Sequence, residues 1–290
     1  MELRRYRPHD LSSLLELYNA ARANDHEFIP RTETQLKTEL DQAGSIWLAT
    51  ERERLIGAAI YYPRWYGDEI VPITAPDVDG EQVQTELLGR VEVDATGGEA
   101  VVAVAATRPE QMAFLESLGY AAEGGLIQLV TDLQSERSIP SLPDGCRLRQ
   151  LEPNEEADFV EMVNTAYDAE RLSLAEVERW RSYRDWTEAW VHVVDDGERL
   201  VAGVVARPDQ AHNEFFGANR GYLGPAAVIP GHGRQGLGRA LTAASLNFVR
   251  SQGMDHASLY TTQSNRAVHR LTEQLGFWIA HEWTFMKKGV

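Results

Sequence analysis

The apolar and polar positions change period several times along the second half of the chain. Gly221-Tyr222-Leu223-Gly224-Pro225-Ala226-Ala227-Val228-Ile229 carries no charge and predicts a strand, and Gly224-Pro225 in its middle predicts a bulge. A glycine-rich stretch follows, and the pattern then predicts a helix from Leu237 to about Gln252. Ala257-Ser258-Leu259-Tyr260-Thr261 reads as the next strand. Val268, Leu271 and Leu275 fall at helical spacing, Gly276 supplies a left-handed stop, and a new strand starts at Phe277.

The first half repeats parts of this layout. Leu3 to Asp10 echoes Leu148 to Glu155, each a short strand leading into an amphipathic helix. Ile46 to Gly57 echoes Val191 to Gly203, both hairpins with a charged turn, and Phe114 to Tyr120 echoes Leu271 to Phe277. The polar, proline-bearing stretch Gln134–Gly145 reads as a linker. The expected organisation is therefore two tandem domains of one fold, 1–134 and 146–290, joined by 135–145.

The glycine-rich stretch carries the clearest chemistry. A helix start leaves several N–H groups without intrahelical partners and concentrates partial positive charge. Glycines at 231, 233, 236 and 238 let the backbone turn tightly and approach a ligand closely, which makes an anion cradle suited to a phosphate or pyrophosphate. No Gly-Lys-Ser/Thr ends the loop, so it is not a P-loop. Gly231, Gly233 and Gly236 have the spacing of a dinucleotide fingerprint, but only about fifty residues follow, too few for a βαβαβ unit.

Val228-Ile229-Pro230-Gly231-His232-Gly233-Arg234-Gln235-Gly236-Leu237-Gly238-Arg239-Ala240-Leu241, with Asn265 to Phe277 one helix and one strand later, resembles motifs A and B of the GNAT superfamily of acetyl-CoA-dependent N-acetyltransferases. The family patterns are close to V-x-P-x-x-R-G-x-G-L-G-x-x-L and N-x-x-A-x-x-L-Y-x-x-L-G-F. The resemblance implies an α+β fold, a mixed sheet flanked by helices, present here as two tandem GNAT-like copies. It also implies an enzyme that moves an acetyl group from acetyl-CoA, as co-substrate, to an amine by direct attack in a ternary complex. The residues it would set around the cofactor are Ala226, Ala227, Val228, Gly233, Arg234, Gln235, Gly236, Leu237, Gly238, Arg239 and Asn265. In relatives an N–H of the strand before the loop polarises the acetyl carbonyl, which here points to the amides of Ala226 to Val228. The duplicated layout is also similar to that of mycothiol synthases, which acetylate the cysteinyl amine of a thiol-bearing pseudodisaccharide. Nothing in the acceptor half identifies the acceptor.

Two positions depart from the family. The residue that opens the loop is Gly233, while Arg234 stands where relatives usually have Gly, a swap that keeps a guanidinium near the pyrophosphate. The Tyr that in many relatives protonates the leaving thiolate is Thr272, a far poorer acid than a phenol with a pKa of about 10. His269, one helical turn before Thr272, is a replacement candidate, and Tyr260 a further one. His232 lies in the loop itself and could add a cationic contact. For the general base, Glu214 precedes the strand, and Asp195 and Asp196 lie in the hairpin turn. Trp180, Tyr183, Trp186 and Trp190, with Arg179, Arg181 and Arg184 among them, have helical spacing; they form either a packed amphipathic helix or an aromatic acceptor wall.

The first copy is expected to have lost the donor. Ile73-Thr74-Ala75-Pro76-Asp77-Val78-Asp79-Gly80-Glu81-Gln82 stands where motif A should fall, and its carboxylates repel a pyrophosphate. Arg108 takes the place of the motif B Asn, while Leu118-Gly119-Tyr120 survives. This domain reads as a structural partner of an active C-terminal domain.

Composition narrows the picture further. A net charge of −16 argues against nucleic acid as a partner and mildly favours a cationic acceptor, a small-molecule amine. The sequence has no apolar run long enough to span a membrane and no signal-peptide core after Met1, so a cytoplasmic protein is expected. The single Cys146 excludes an intrachain disulfide and a cysteine-based zinc cage; no metal is expected. Two alternatives stay open at this stage: a catalytically silent acyl-CoA-binding or interaction protein, and an aminoacyl-tRNA-dependent transferase of the same fold.

Overall fold

The computed structural model describes residues 1–64, 67–181, 183 and 186–290. The chain forms two compact units, Met1–Leu126 with His281–Val290, and Ile127–Ala280. In the first unit the elements run β1 (Glu2–Arg5), α1 (Leu11–Arg22), α2 (Glu33–Leu40), β2 (Ser45–Glu51), β3 (Arg54–Arg64), β4 (Gly67–Thr74), α3 (Gly80–Val91), β5 (Glu99–Ala105), α4 (Pro109–Ser117) and the start of β6 (Ala121–Asp132). The second runs from the end of β6 through β7 (Arg147–Gln150), α5 (Glu156–Tyr167), α6 (Leu174–Trp180), β8 (Val191–Asp195), β9 (Leu200–Pro208), α7 (Gln210–Phe216), β10 (Arg220–Val228), α8 (Leu237–Ser251), β11 (His256–Thr262), α9 (Arg266–Gln274) and the start of β12 (Trp278–Gly289). The two orders agree except for α7, so the repeat read from the sequence is a repeat of structure.

Within the first unit the strands lie in the order β1-β2-β3-β4-β5-β12, and within the second β6-β11-β10-β9-β8-β7. Each unit has one parallel pair between consecutive strands, β4 with β5 and β10 with β11, each joined through a crossover helix. The last strand pairs with β5 through the register Trp283↔Ala105 to Gly289↔Glu99, so the C-terminal ten residues complete the sheet of the first unit.

Helix α8 begins and ends within one residue of the expected limits. It turns Leu237, Leu241, Leu246 and Val249 into the core of the second unit. Burying each such side chain contributes about 1.5–3 kcal/mol. A Cβ on Gly221 would stand 2.8 Å from Cβ of Val249, so glycine there lets α8 lie close on β10. Helix α5 supplies Phe159, Met162 and Val163 to the same core.

The aromatic segment differs from expectation. Helix α6 ends at Trp180; the Tyr183 N–H donates to Trp180 O at 3.0 Å, the Trp186 N–H donates to Tyr183 O at 3.1 Å, and a 3₁₀ turn spans Glu188–Trp190. Spacing of three or four suits such turns as well as a continuous helix. The rings still gather, with centroids of Trp180 and Trp186 6.4 Å apart, Trp186 and Trp190 5.2 Å, and Tyr183 and Trp190 6.2 Å. Arg184 lies outside the described residues. Among the described residues no helix is long and apolar enough to cross a membrane.

Candidate functional site

The site of the second unit is built where two strands part. β10 and β11 pair only through Arg220↔His256, Gly221↔Ala257 and Tyr222↔Ser258. Beyond Tyr222, β10 stays bound to β9, with a register shift between Leu223 and Ala226 that is the bulge expected at Gly224-Pro225. Among the described residues its other edge then has no strand partner. The Ile229 N–H donates to Val201 O of β9 at 3.0 Å. Main-chain groups alternate sides along a strand, so Ala226 and Val228 turn theirs into the gap while Ala227 turns its toward β9. Consistently, the Tyr167 hydroxyl reaches Ala226 O from α5 at 3.1 Å. Two of the three expected donor residues thus face the opening.

The glycine loop closes one end of this gap. Gly231, Arg234 and Gly236 have φ of +88°, +63° and +86°. Arg234 therefore adopts the left-handed backbone for which glycine is the usual choice. The His232 N–H donates to Ile229 O at 3.2 Å, and Gln235 Nε2 donates to Gly231 O at 3.3 Å, which holds the loop against the strand end. Cβ atoms built at Gly231, Gly233 and Gly236 would meet open space. The N–H groups that open α8 at Leu237, Gly238 and Arg239 lack intrahelical acceptors, as at any helix start. The side chains of Arg234 and Arg239 are exposed and without partners among the described residues, and no carboxylate interrupts the loop. His232 Nε2 lies 3.5 Å from Asp196 Oδ2, which joins the loop to the β8–β9 turn. Backbone donors, a helix dipole and two guanidiniums together fit a pyrophosphate.

The expected acid and base candidates sit differently. Thr272 is buried, and its hydroxyl donates to Val268 O and His269 O, at 2.8 and 3.0 Å, within its own helix. His269 Nε2 donates to Thr262 O at 3.2 Å and braces the β11–α9 turn. The Asn265 side chain caps α9, accepting from Val268 N–H at 3.3 Å. Burial pushes the Asp195 carboxyl up, but hydrogen bonds from Arg149 and Arg147 and the Gly197 amide outweigh it and hold it below the usual carboxylate range. Asp196 is held low by the Arg199 and Glu198 amides. Both are anchors of the hairpin turn. Glu214, exposed on α7, accepts from Gln210 Nε2 at 3.1 Å and lines a hollow of about 200 Å³ with Tyr183, Trp190 and Arg207.

Three residues at the site were not singled out from the sequence. The rings of Tyr222 and Tyr260, one on each arm of the splay, stand 6.2 Å apart. Burial raises the Tyr222 phenol above its ordinary value, with Arg207 and Arg171 opposing. The Arg207 guanidinium lies over the rings of Tyr222 at 5.2 Å and Tyr183 at 5.6 Å, and so links the splay to the aromatic hollow. Tyr167 enters from α5 as described. Tyr260 alone is legible in the sequence, for its strand position; the other three become visible only through the strand register and the fold of α5.

The first unit repeats the splay with different residues. β4 and β5 pair only at Asp68↔Ala100 and Glu69↔Val101. The Ala75 N–H donates to Ile56 O at 2.9 Å, as Ile229 does to Val201, and on this register Pro72 stands where Ala226 stands. Proline has no N–H to give. Asp79 is the N-cap of α3, and Glu81 lies in its first turn, so carboxylates occupy this helix start, whereas the first turn of α8 has none. Arg108, at the place of Asn265, is bound to Asp25 at 2.6 Å.

Comparison with known proteins agrees with this architecture. Residues 154–277 match the acetyltransferase (GNAT) family. Mycothiol acetyltransferase of Kocuria rhizophila is 26% identical over 280 residues, which span 91% of this chain and 91% of that protein. A GCN5-related N-acetyltransferase from Sphaerobacter thermophilus shares the fold with a TM-score of 0.70 at 16% identity, over 99% of this chain and 95% of that one. A tandem GNAT protein from the clavulanic acid biosynthesis pathway does so with a TM-score of 0.66 at 16% identity, over 99% and 98% of the two chains. The tandem α+β fold expected from the sequence is the fold of the whole chain.

Proposed function

We propose that this chain, whose residues 154–277 match the acetyltransferase (GNAT) family, transfers an acetyl group from acetyl-CoA to the amine of a small molecule, and that only the second unit is active. The observation that carries this reading is the continuity of the β10–β11 gap with the Gly231–Gly236 loop: one end offers anion donors, the other two strand amides. In this reading the pyrophosphate sits on the amides from Gly233 to Arg239, with Arg234 and Arg239 beside it. The thioester then lies along β10, where the Ala226 and Val228 amides polarise its carbonyl and stabilise the oxyanion as the amine attacks. Tyr260, at the mouth of the gap, takes the role of proton donor to the departing thiolate, since the Thr272 hydroxyl is engaged by its own helix. The acceptor approaches past the Tyr183, Trp190 and Arg207 hollow, with Glu214 at its rim.

The relatives named mycothiol acetyltransferase make the amine precursor of mycothiol the first acceptor to test. Calorimetric titration of the full chain with acetyl-CoA should give one site per chain, and thiol release in the presence of the acceptor should report turnover. Two sites would end the assignment of activity to the second unit alone. Acyl-CoA binding without turnover on a broad amine panel would favour a silent acyl-CoA-binding protein, the reading that the buried Thr272 supports.

A further inference from the structure

A large cavity lies in the first unit, in the copy that lacks a phosphate cradle. It has a volume of about 1060 Å³ and opens between β4 and β5, lined on its two arms by Ile70–Thr74 and by Val102, Ala103 and Ala105. One wall is aromatic. The imidazoles of His26 and His281 stack in parallel with centroids 3.9 Å apart, and Trp283 meets His281 edge-on at 4.3 Å. His281 Nε2 is screened from solvent and has no hydrogen-bond partner among the described residues. Burial, and next the neighbouring His26, lower the His281 pKa, so the His281 imidazole is neutral at pH 7.

The charges around the cavity are unequal. Its two guanidiniums, Arg22 and Arg108, share the one carboxylate of Asp25, at 2.9 and 2.6 Å, which offsets one of the two positive charges. Asp79, Glu81 and Glu110 also line it, and none of the three has an ion-pair or side-chain hydrogen-bond partner among the described residues. An aromatic wall facing three carboxylates, against one guanidinium charge left unbalanced, attracts an organic cation and repels a phosphate. Pro72 removes the strand donor that an acetyl carbonyl would need.

We infer that the β4–β5 cavity of the first unit is a binding site for a small organic cation bearing primary or secondary amines, distinct from the donor site of the second unit. It is independent of the proposed transferase activity, because it rests on none of the residues of the second unit.

The test is calorimetry on the full chain at physiological ionic strength, with spermidine as the probe and 1,8-octanediol as the neutral control. One spermidine site per chain is expected and none for the diol. The pair Asp79→Asn and Glu81→Gln should weaken spermidine about tenfold for each carboxylate removed. Gln111→Trp, placed on the cavity lining, should abolish binding by filling it. Glu198→Gln, on an exposed turn of the second unit, should change nothing. Thermal melting of each variant checks that it folds. Absent spermidine binding, or binding that survives both the double carboxylate variant and Gln111→Trp, overturns the inference. Binding weakened equally by Glu198→Gln would make it general attraction to an acidic surface and overturn it as well.

Discussion

The gaps β4–β5 and β10–β11 are two versions of one device. In both, a parallel pair holds for two or three residues and then opens, and in both the following loop leads into a helix start. Among their differences, three bear on a ligand: Pro72 against Ala226, the Ala75–Asp79 turn against the Gly231–Gly236 loop, and Arg108 against Asn265. The opening is a property of strand pairing and persists when those positions change. What the opening accepts is set by which backbone donors remain and by the charge at the helix start.

The largest expected effect tests the helix starts. Gly236→Glu puts a side chain on a backbone with φ +86° and a carboxylate where the anion should sit. Calorimetry should show acetyl-CoA binding abolished; Gly80→Glu at the matching start of α3 should leave it unchanged. Equal losses from both would erase the distinction between the copies.

The next tests the strand donors. Ala226→Pro gives the second unit the residue of the first, and turnover should fall about 10²–10³-fold with acetyl-CoA affinity little altered. The reciprocal Pro72→Ala should leave turnover as it was. An Ala226→Pro enzyme with normal kcat would remove this amide from the mechanism.

A third difference concerns acid. On the strand register Trp47 in the first unit matches His192 in the second, since their partners Ala59 and Val204 face Pro72 and Ala226. Burial lowers the His192 pKa from 6.5 to about 4. The folded chain therefore keeps this imidazole neutral while the unfolded chain protonates it. The stability it contributes is complete above pH 6.5 and declines as pH falls toward 4, by about 3 kcal/mol in all. Melting followed by circular dichroism from pH 7 to 4 should show this decline, and His192→Phe should flatten it. An unchanged acid slope in that variant would assign the loss to other groups.

The smallest effect is expected at the motif B departure. Thr272→Val should keep turnover within about twofold, because the hydroxyl already bonds its own helix. Tyr260→Phe should lower kcat by about tenfold or more. The opposite ranking would return the acid role to Thr272.

What the sequence determined by itself is local. Glycine spacing, the limits of α8, the bulge at Gly224-Pro225 and the duplicated order of elements follow from backbone preferences and hydrophobic period, which act over a few residues. The acidic helix start at Asp79 was legible for the same reason. Only the tertiary structure decided which amides face the gap, because that depends on the register of β10 against β9 and on where β11 leaves it. It alone set the Thr272 hydroxyl inward, broke the aromatic segment into turns, and joined His281–Val290 to β5 in the first unit. Each of these outcomes comes from pairing or packing between residues far apart in the chain, for which spacing along the sequence carries no signal.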